Sequence, residues 1–122
     1  MAMQIMIGVK RGTEVLIDEN QKQINYTETL REVCSSYFEN MKFTEDNEEI
    51  VYSIIEKKNF LKLLKVICKK QEMTISEIKK TRGNEKKDIL INESYDYTLL
   101  LSIIGEALSL SEESNETFIL LV

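Results

Sequence analysis

The chain of 122 residues contains no proline and four glycines. These residue types are the strongest breakers of regular structure, so the chain carries few built-in breaks. Its elements have to be read from the places where the hydrophobic period changes between two and 3.6 residues. The length points to one domain over residues 1–122, large enough to bury a single core without staples. No Pro/Gly/Ser-rich linker divides it, and 43% hydrophobic with 30% charged residues is an ordinary globular balance.

Ile5, Ile7 and Val9 alternate, Gly12 turns the chain, and Val15 and Ile17 follow. Period two around a glycine predicts a β-hairpin. Tyr26, Leu30, Val33, Cys34, Tyr37, Phe38 and Met41 then fall on one helical face, with Asn25 and Glu28 spaced as a capping box. Residues 44–49 read as an acidic loop and 49–55 as a strand by their β-branched content.

The clearest helix follows. Phe60, Leu61, Leu64, Ile67 and Cys68 recur at helical spacing, while Lys58, Lys62, Lys65 and Lys69 line the opposite face. Residues 74–81 predict a short second helix, and 88–92 reads either as a strand or as part of a third. Residues 97–110 are apolar almost all round and predict a buried helix with Asp96 as N-cap; 117–122 predict a closing strand. The expected fold is α+β, with the N-terminal β-hairpin and the C-terminal strand in one small sheet, packed on three to five helices.

The chain has no histidine, which removes Ser-His-Asp and Cys-His catalysis, histidine zinc sites and the commonest general base. No glycine-rich phosphate loop is present. Cys34 and Cys68 lie in apolar helical patterns and read as buried, reduced thiols. The cluster Glu45, Asp46, Glu48 and Glu49 lacks the spacing of a calcium loop and reads as a solvated turn. The expectation is a non-enzymatic protein without metal or cofactor. No basic segment precedes the apolar residues near the start, and the run 97–110 falls short of the ~20 residues of a membrane span, so a cytoplasmic protein without a membrane partner is expected.

Charge is the least even property of the chain. Residues 1–56 carry 5 basic and 11 acidic side chains, a net of −6. Residues 57–87 carry 11 basic and 3 acidic, a net of +8; residues 88–122 carry 7 acidic and none basic. A row of lysines attracts a polyanion and releases its counterions. The competing account is internal, with the acidic flanks folded over the basic segment or over that of a second subunit.

Residues 60–110 also resemble the lambda-repressor-like helix-turn-helix domains. FLKLLKVICKK looks like the first helix of that family, and Met73, Thr74, Glu77, Ile78 and Gly83 stand at the spacing of its second helix and turn. NEKKDILINE would be the recognition helix with Ile89 facing inward, and LSIIGEAL is similar to the closing helix. The resemblance implies four or five short helices, with Asn84, Lys86 and Lys87 at the exposed start of the recognition helix. Lys79 and Arg82 stand where the family buries a small and an apolar residue, and burying either charge costs several kcal/mol unless it is paired. On the other reading, residues 86–93 form an edge strand whose lysines discourage aggregation.

The expected function is binding of nucleic acid, DNA in preference to RNA, through Lys58, Lys62, Lys65, Lys69, Lys79, Arg82, Asn84, Lys86 and Lys87. Ten of the eleven basic residues of 57–87 are lysines, which act on phosphate as point charges; Arg82 alone offers a fork that reads guanine. The alternative is an acidic inhibitor, immunity or accessory module that covers a basic protein surface. The exposed edge of a small sheet offers either protein a route to a homodimer.

Overall fold

A computed structural model describes residues 3–112 and 116–121, with side chains for all of these except 41–45 and 48–52. The alternation of Ile5, Ile7 and Val9 produces strand β1 (Gln4–Arg11), and all three side chains are buried on one face. Gly12 and Thr13 lead into β2 (Glu14–Leu16), with Arg11 opposite Glu14. Gly12 has a φ of 61°, a conformation that tight hairpin loops use and that L side chains resist. Gly8 answers a different demand, because a Cβ there would lie 2.8 Å from the carbonyl oxygen of Leu16.

Short β3 (Ile24–Asn25) pairs with the start of β1. Between the β2 and β3 pairings, the Gln21 side chain takes the place of a strand. Its carbonyl accepts the Ile7 N–H at 2.8 Å and its NH₂ donates to the Ile7 carbonyl at 2.9 Å, so a buried backbone unit stays satisfied.

Helix α1 (Glu28–Ser35) is shorter than the periodicity over 26–41 predicts. The amides of Tyr37 and Phe38 both return to the Cys34 carbonyl and close it, and Phe38 reaches the core from beyond its end. Its N-cap is Thr27, not Asn25: the Thr27 hydroxyl accepts from Leu30 N–H and donates to Asp96. Residues predicted to end that helix begin β4 (Glu39–Glu45), which forms a hairpin with β5 (Glu48–Glu56). The expected acidic loop narrows to Asp46 and Asn47, with φ of 50° and 65°, the pairing that two-residue hairpin turns favour. The side chains of Glu45, Glu48 and Glu49 lie outside the described residues.

Strand β5 runs straight into α2 (Lys57–Lys80); α3 (Asn84–Ser109) and β6 (Thr117–Leu121) complete the order. The six-stranded sheet has the order β2-β1-β6-β5-β4, with β3 pairing β1 off this path. Strand β6 is antiparallel to both neighbours, with Leu120 opposite Ile7 of β1 and Phe118 opposite Ile55 of β5. The expected α+β arrangement is therefore present, with three helices among the described residues.

One face of the sheet meets the helices through Ile5, Ile7, Val9, Ile55, Phe118 and Leu120, against Phe60, Leu63 and Ile67 of α2 and Leu100, Ile103, Ile104 and Ala107 of α3. Phe60 stacks on Phe118 with ring centroids 4.2 Å apart and meets Phe38 edge-on at 6.4 Å. At the rim, Nε of Arg11 donates to Glu116 Oε1 at 3.0 Å and its Nη2 donates to the Leu110 carbonyl at 3.0 Å. The Glu116 side chain is 2% exposed. Its backbone carbonyl accepts the N–H of Lys57, the first residue of α2, at 3.0 Å. One carboxylate residue thus ties β1, the ends of both long helices and the start of β6.

The two long helices correct several sequence expectations. Residues 74–81 are no separate helix: 74–80 continue α2, and Thr81 caps it through its amide to the Glu77 and Ile78 carbonyls. Residues 88–92 are helical, not a strand, and Asp96 lies inside α3 rather than at its start. With no proline and Gly83 placed just before α3, nothing interrupts either helix. No helix among the described residues is long and apolar enough to cross a membrane.

The cysteines part company: Cys34 is buried and Cys68 exposed. Burial pushes the Cys34 thiol up to about 12. Tyr26 is also raised to about 12, first by burial and then by the Cys34 thiolate, against the opposing pull of Arg31, whose guanidinium stands 5.2 Å from its ring. These groups stay neutral in the folded chain at pH values where the unfolded chain ionises. Their contribution to stability is therefore complete below pH 9.0 and disappears as pH climbs toward about 12. Denaturant midpoints should fall across that window, and less steeply in Cys34→Ala. Under native conditions near neutral pH a thiol reagent should modify Cys68 and reach Cys34 only after denaturant is added. At the rim, Arg11→Ala leaves a buried carboxylate without its guanidinium and should cost about 3 kcal/mol in urea unfolding. Arg11→Lys, which keeps the charge but loses the fork, should recover part of that.

Candidate functional site

Helix α2 enters the core through Phe60, Leu63 and Ile67, so residues on its opposite side face solvent. At 100° per residue, Lys58, Lys62, Lys65 and Lys69 lie within an arc of ~60° over about 16 Å of helix. All four are exposed. Among the described residues, the ion pairs all involve Arg11, and none of these four lysines meets a carboxylate. The internal account, in which acidic flanks cover the basic segment, finds no support among the described residues.

The other sequence-predicted residues gather elsewhere. Lys79 sits in the last turn of α2, Arg82 in the link 81–83, and Asn84, Lys86 and Lys87 in the first turn of α3. All are exposed except Lys87, which is half-buried. The structure thus brings the nine residues together as two groups, a row on the body half of α2 and a cluster at the tip of the helical hairpin. Ten residues of helix, about 15 Å, separate Lys69 from Lys79.

Helix electrostatics distinguishes the parts of the tip. Lys79 and Lys80 stand at the carbonyl end of α2, where positive charge is favourable. Lys86 and Lys87 stand at the amide end of α3, where each positive charge costs about 0.3–1 kcal/mol when exposed. Helix stability does not explain them.

Residues 60–110 form two long helices and their link, where the helix-turn-helix resemblance implies four or five short ones. Lys79 and Arg82 are exposed rather than buried, and Ile89, expected to face inward, is 56% exposed. The straight run of α2 through 74–80 removes the crossing between helices that would have enclosed these positions.

Sequence reasoning missed the apolar surface beside the charges. Met73, Ile75, Ile89, Ile91 and Tyr95 are all exposed on the outer half of the hairpin, Tyr95 at 62%. Within that half, Thr74 is buried, Ile78 and Leu90 are half-buried, and Gln71 donates to the Ser94 carbonyl at 3.0 Å and the Thr98 hydroxyl at 2.8 Å. A signal was present in Leu61, Cys68 and Ile75, spaced by seven and followed three residues later by Leu64, Gln71 and Ile78. It marks a second stripe beside the core-facing one.

Among the described residues, no group of three or more cysteine and carboxylate side chains is placed to hold a metal ion. Tyr97 lines a shallow groove with Val66, Lys70 and residues of α1. Burial raises its hydroxyl, and the carboxylates of Glu93, Glu32 and Asp96 raise it further, so it stays protonated. Compared with family models, with curated proteins and with solved structures, the chain matches none of them.

Proposed function

We propose that this protein binds nucleic acid through the lysine row of α2. The observation that carries the reading is the alignment of Lys58, Lys62, Lys65 and Lys69 on one exposed face with no carboxylate partner among the described residues. A row of about 16 Å runs past about five phosphates of one strand, measured along the duplex axis. Lysine ammonium groups neutralise phosphate without reading bases, so binding is tolerant of sequence. The acidic remainder of the chain repels the polyanion and confines it to this face, which keeps affinity low and steeply dependent on salt.

The exposed apolar residues of the outer hairpin favour a second reading, a protein-binding module, because Ile91 and Tyr95, four apart on one face of α3, expose large apolar side chains of the kind that protein contacts use. The two readings use different parts of the same hairpin.

Fluorescence anisotropy with labelled duplex and single-stranded oligonucleotides separates them. With four phosphates engaged, log K for a duplex should fall with log salt at a slope of about −3.6. The double variant Lys62→Glu/Lys65→Glu should lose at least tenfold in affinity and flatten the slope by about 2. Binding undetectable at about 50 mM salt, or indifferent to the double reversal, removes the nucleic-acid reading.

A further inference from the structure

A second group of polar side chains lies outside the lysine row, where α1 meets the helical hairpin. Thr29, Glu32 and Val33 share one face of α1, and Ser36 follows at its cap. Val66 and Lys70, four apart on α2, form the other wall, and Tyr97 of α3 completes a groove of about 200 Å³. Pockets for drug-sized ligands start at about 300 Å³, so this one suits a molecule of only a few heavy atoms.

The floor of the groove carries the information. Tyr97 is 7% exposed, yet its hydroxyl has no hydrogen-bond partner among the described residues. A buried tyrosine hydroxyl ordinarily finds one. The oxygen is not sealed from solvent, and the exposure it keeps lies on the groove that it lines. Glu32 and Lys70 are exposed, opposite in charge and part of the same groove. No ion pair joins them, and among the described residues neither side chain makes a hydrogen bond. The charges that act on the Tyr97 hydroxyl are Glu93, Glu32 and Asp96, and Lys70 is not one of them. The groove is therefore negative at its floor and positive at the Lys70 rim.

We propose that this groove binds a small zwitterion of the amino-acid class, its ammonium group at Tyr97 and Glu32 and its carboxylate at Lys70. The ammonium donates to the phenol oxygen and to the Glu32 carboxylate, and Lys70 donates to the carboxylate of the ligand. Val33 and Val66 pack against the carbon chain between the two charges. An amine without a carboxylate leaves Lys70 facing a like charge. A carboxylate without an ammonium meets the acidic floor. Only a molecule with both charges satisfies both ends. The site uses none of Lys58, Lys62, Lys65 and Lys69, so it stands independently of the nucleic-acid reading.

The test is a titration of the isotope-labelled full chain, without nucleic acid, followed by amide chemical shifts. Glycine, β-alanine and γ-aminobutyrate, each to about 10 mM, vary the distance between the charges. Butylamine and butyrate supply each charge alone. At least one zwitterion should shift the amides of residues 29–36, 66–70 and 97 saturably, and more tightly than either singly charged compound. Lys70→Ala, at an exposed position, should weaken that zwitterion about tenfold and bring it level with butylamine. Glu32→Ala, also exposed, should weaken both compounds. Tyr97→Phe, which keeps the ring and removes the hydroxyl, should cost about fivefold. The same spectra report whether each variant is folded. The proposal is overturned if no zwitterion shifts these amides, or if butylamine or butyrate binds as tightly. Zwitterion binding that ignores both Lys70→Ala and Glu32→Ala overturns it too.

Discussion

Strand β6 is the constraint on which the rest of the structure depends. Its five residues pair on one side with the amino-terminal hairpin and on the other with the β4–β5 hairpin, two units that share no backbone hydrogen bonds of their own. Without it there are two separate hairpins, and an isolated two-stranded hairpin is marginal in water. With it they become one sheet whose inner face is broad enough to receive two helices. The polar fastening lies just before it, where Glu116 meets Arg11 through its carboxylate and Lys57 through its carbonyl. Phe118 then meets Phe60 a single turn into α2. These contacts join residues far apart in sequence, so closing them carries a large loop entropy that the buried apolar surface has to offset.

The same topology explains the candidate site. Strands β5 and β6 are adjacent and antiparallel, and the connection between them is a helical hairpin. Its inner half belongs to the core. Its outer half adds no buried apolar side chain to that core; it carries lysines at the tip, carboxylates along α3 and exposed apolar residues between them. The lysine row lies on the inner half, on the side of α2 turned away from Phe60, Leu63 and Ile67. The lysine row and the exposed apolar side chains of residues 73–95 thus occupy different stretches of one hairpin.

Much of this was legible in the residues. Period-two alternation located β1, the spacing of Phe60, Leu64 and Ile67 located α2, and the count of basic side chains located the charged face. The errors share a physical origin. Tyr37, Phe38 and Met41 continue the helical period of α1, yet the chain leaves the helix at Ser36 because residues 39–45 pair with β5. Asn25 is spaced as a cap, but it is held in β3, and Thr27 takes the role with Asp96 as its partner. Asp96 itself looked like a helix start from its neighbours alone; α3 runs through it without a break. In each case a contact between distant residues overrode a sound local preference.

By itself, the sequence determined β1, the body of α2, the closing strand, the side chains apolar enough to form the core, and where positive charge accumulates. Those properties depend on near neighbours and on counts. Tertiary structure alone decided that β6 would join two hairpins, that residues 74–80 would continue the helix before them, and that 88–92, open between strand and helix, would be helical and continuous with 97–109. The reason is that pairing and length are relations between elements.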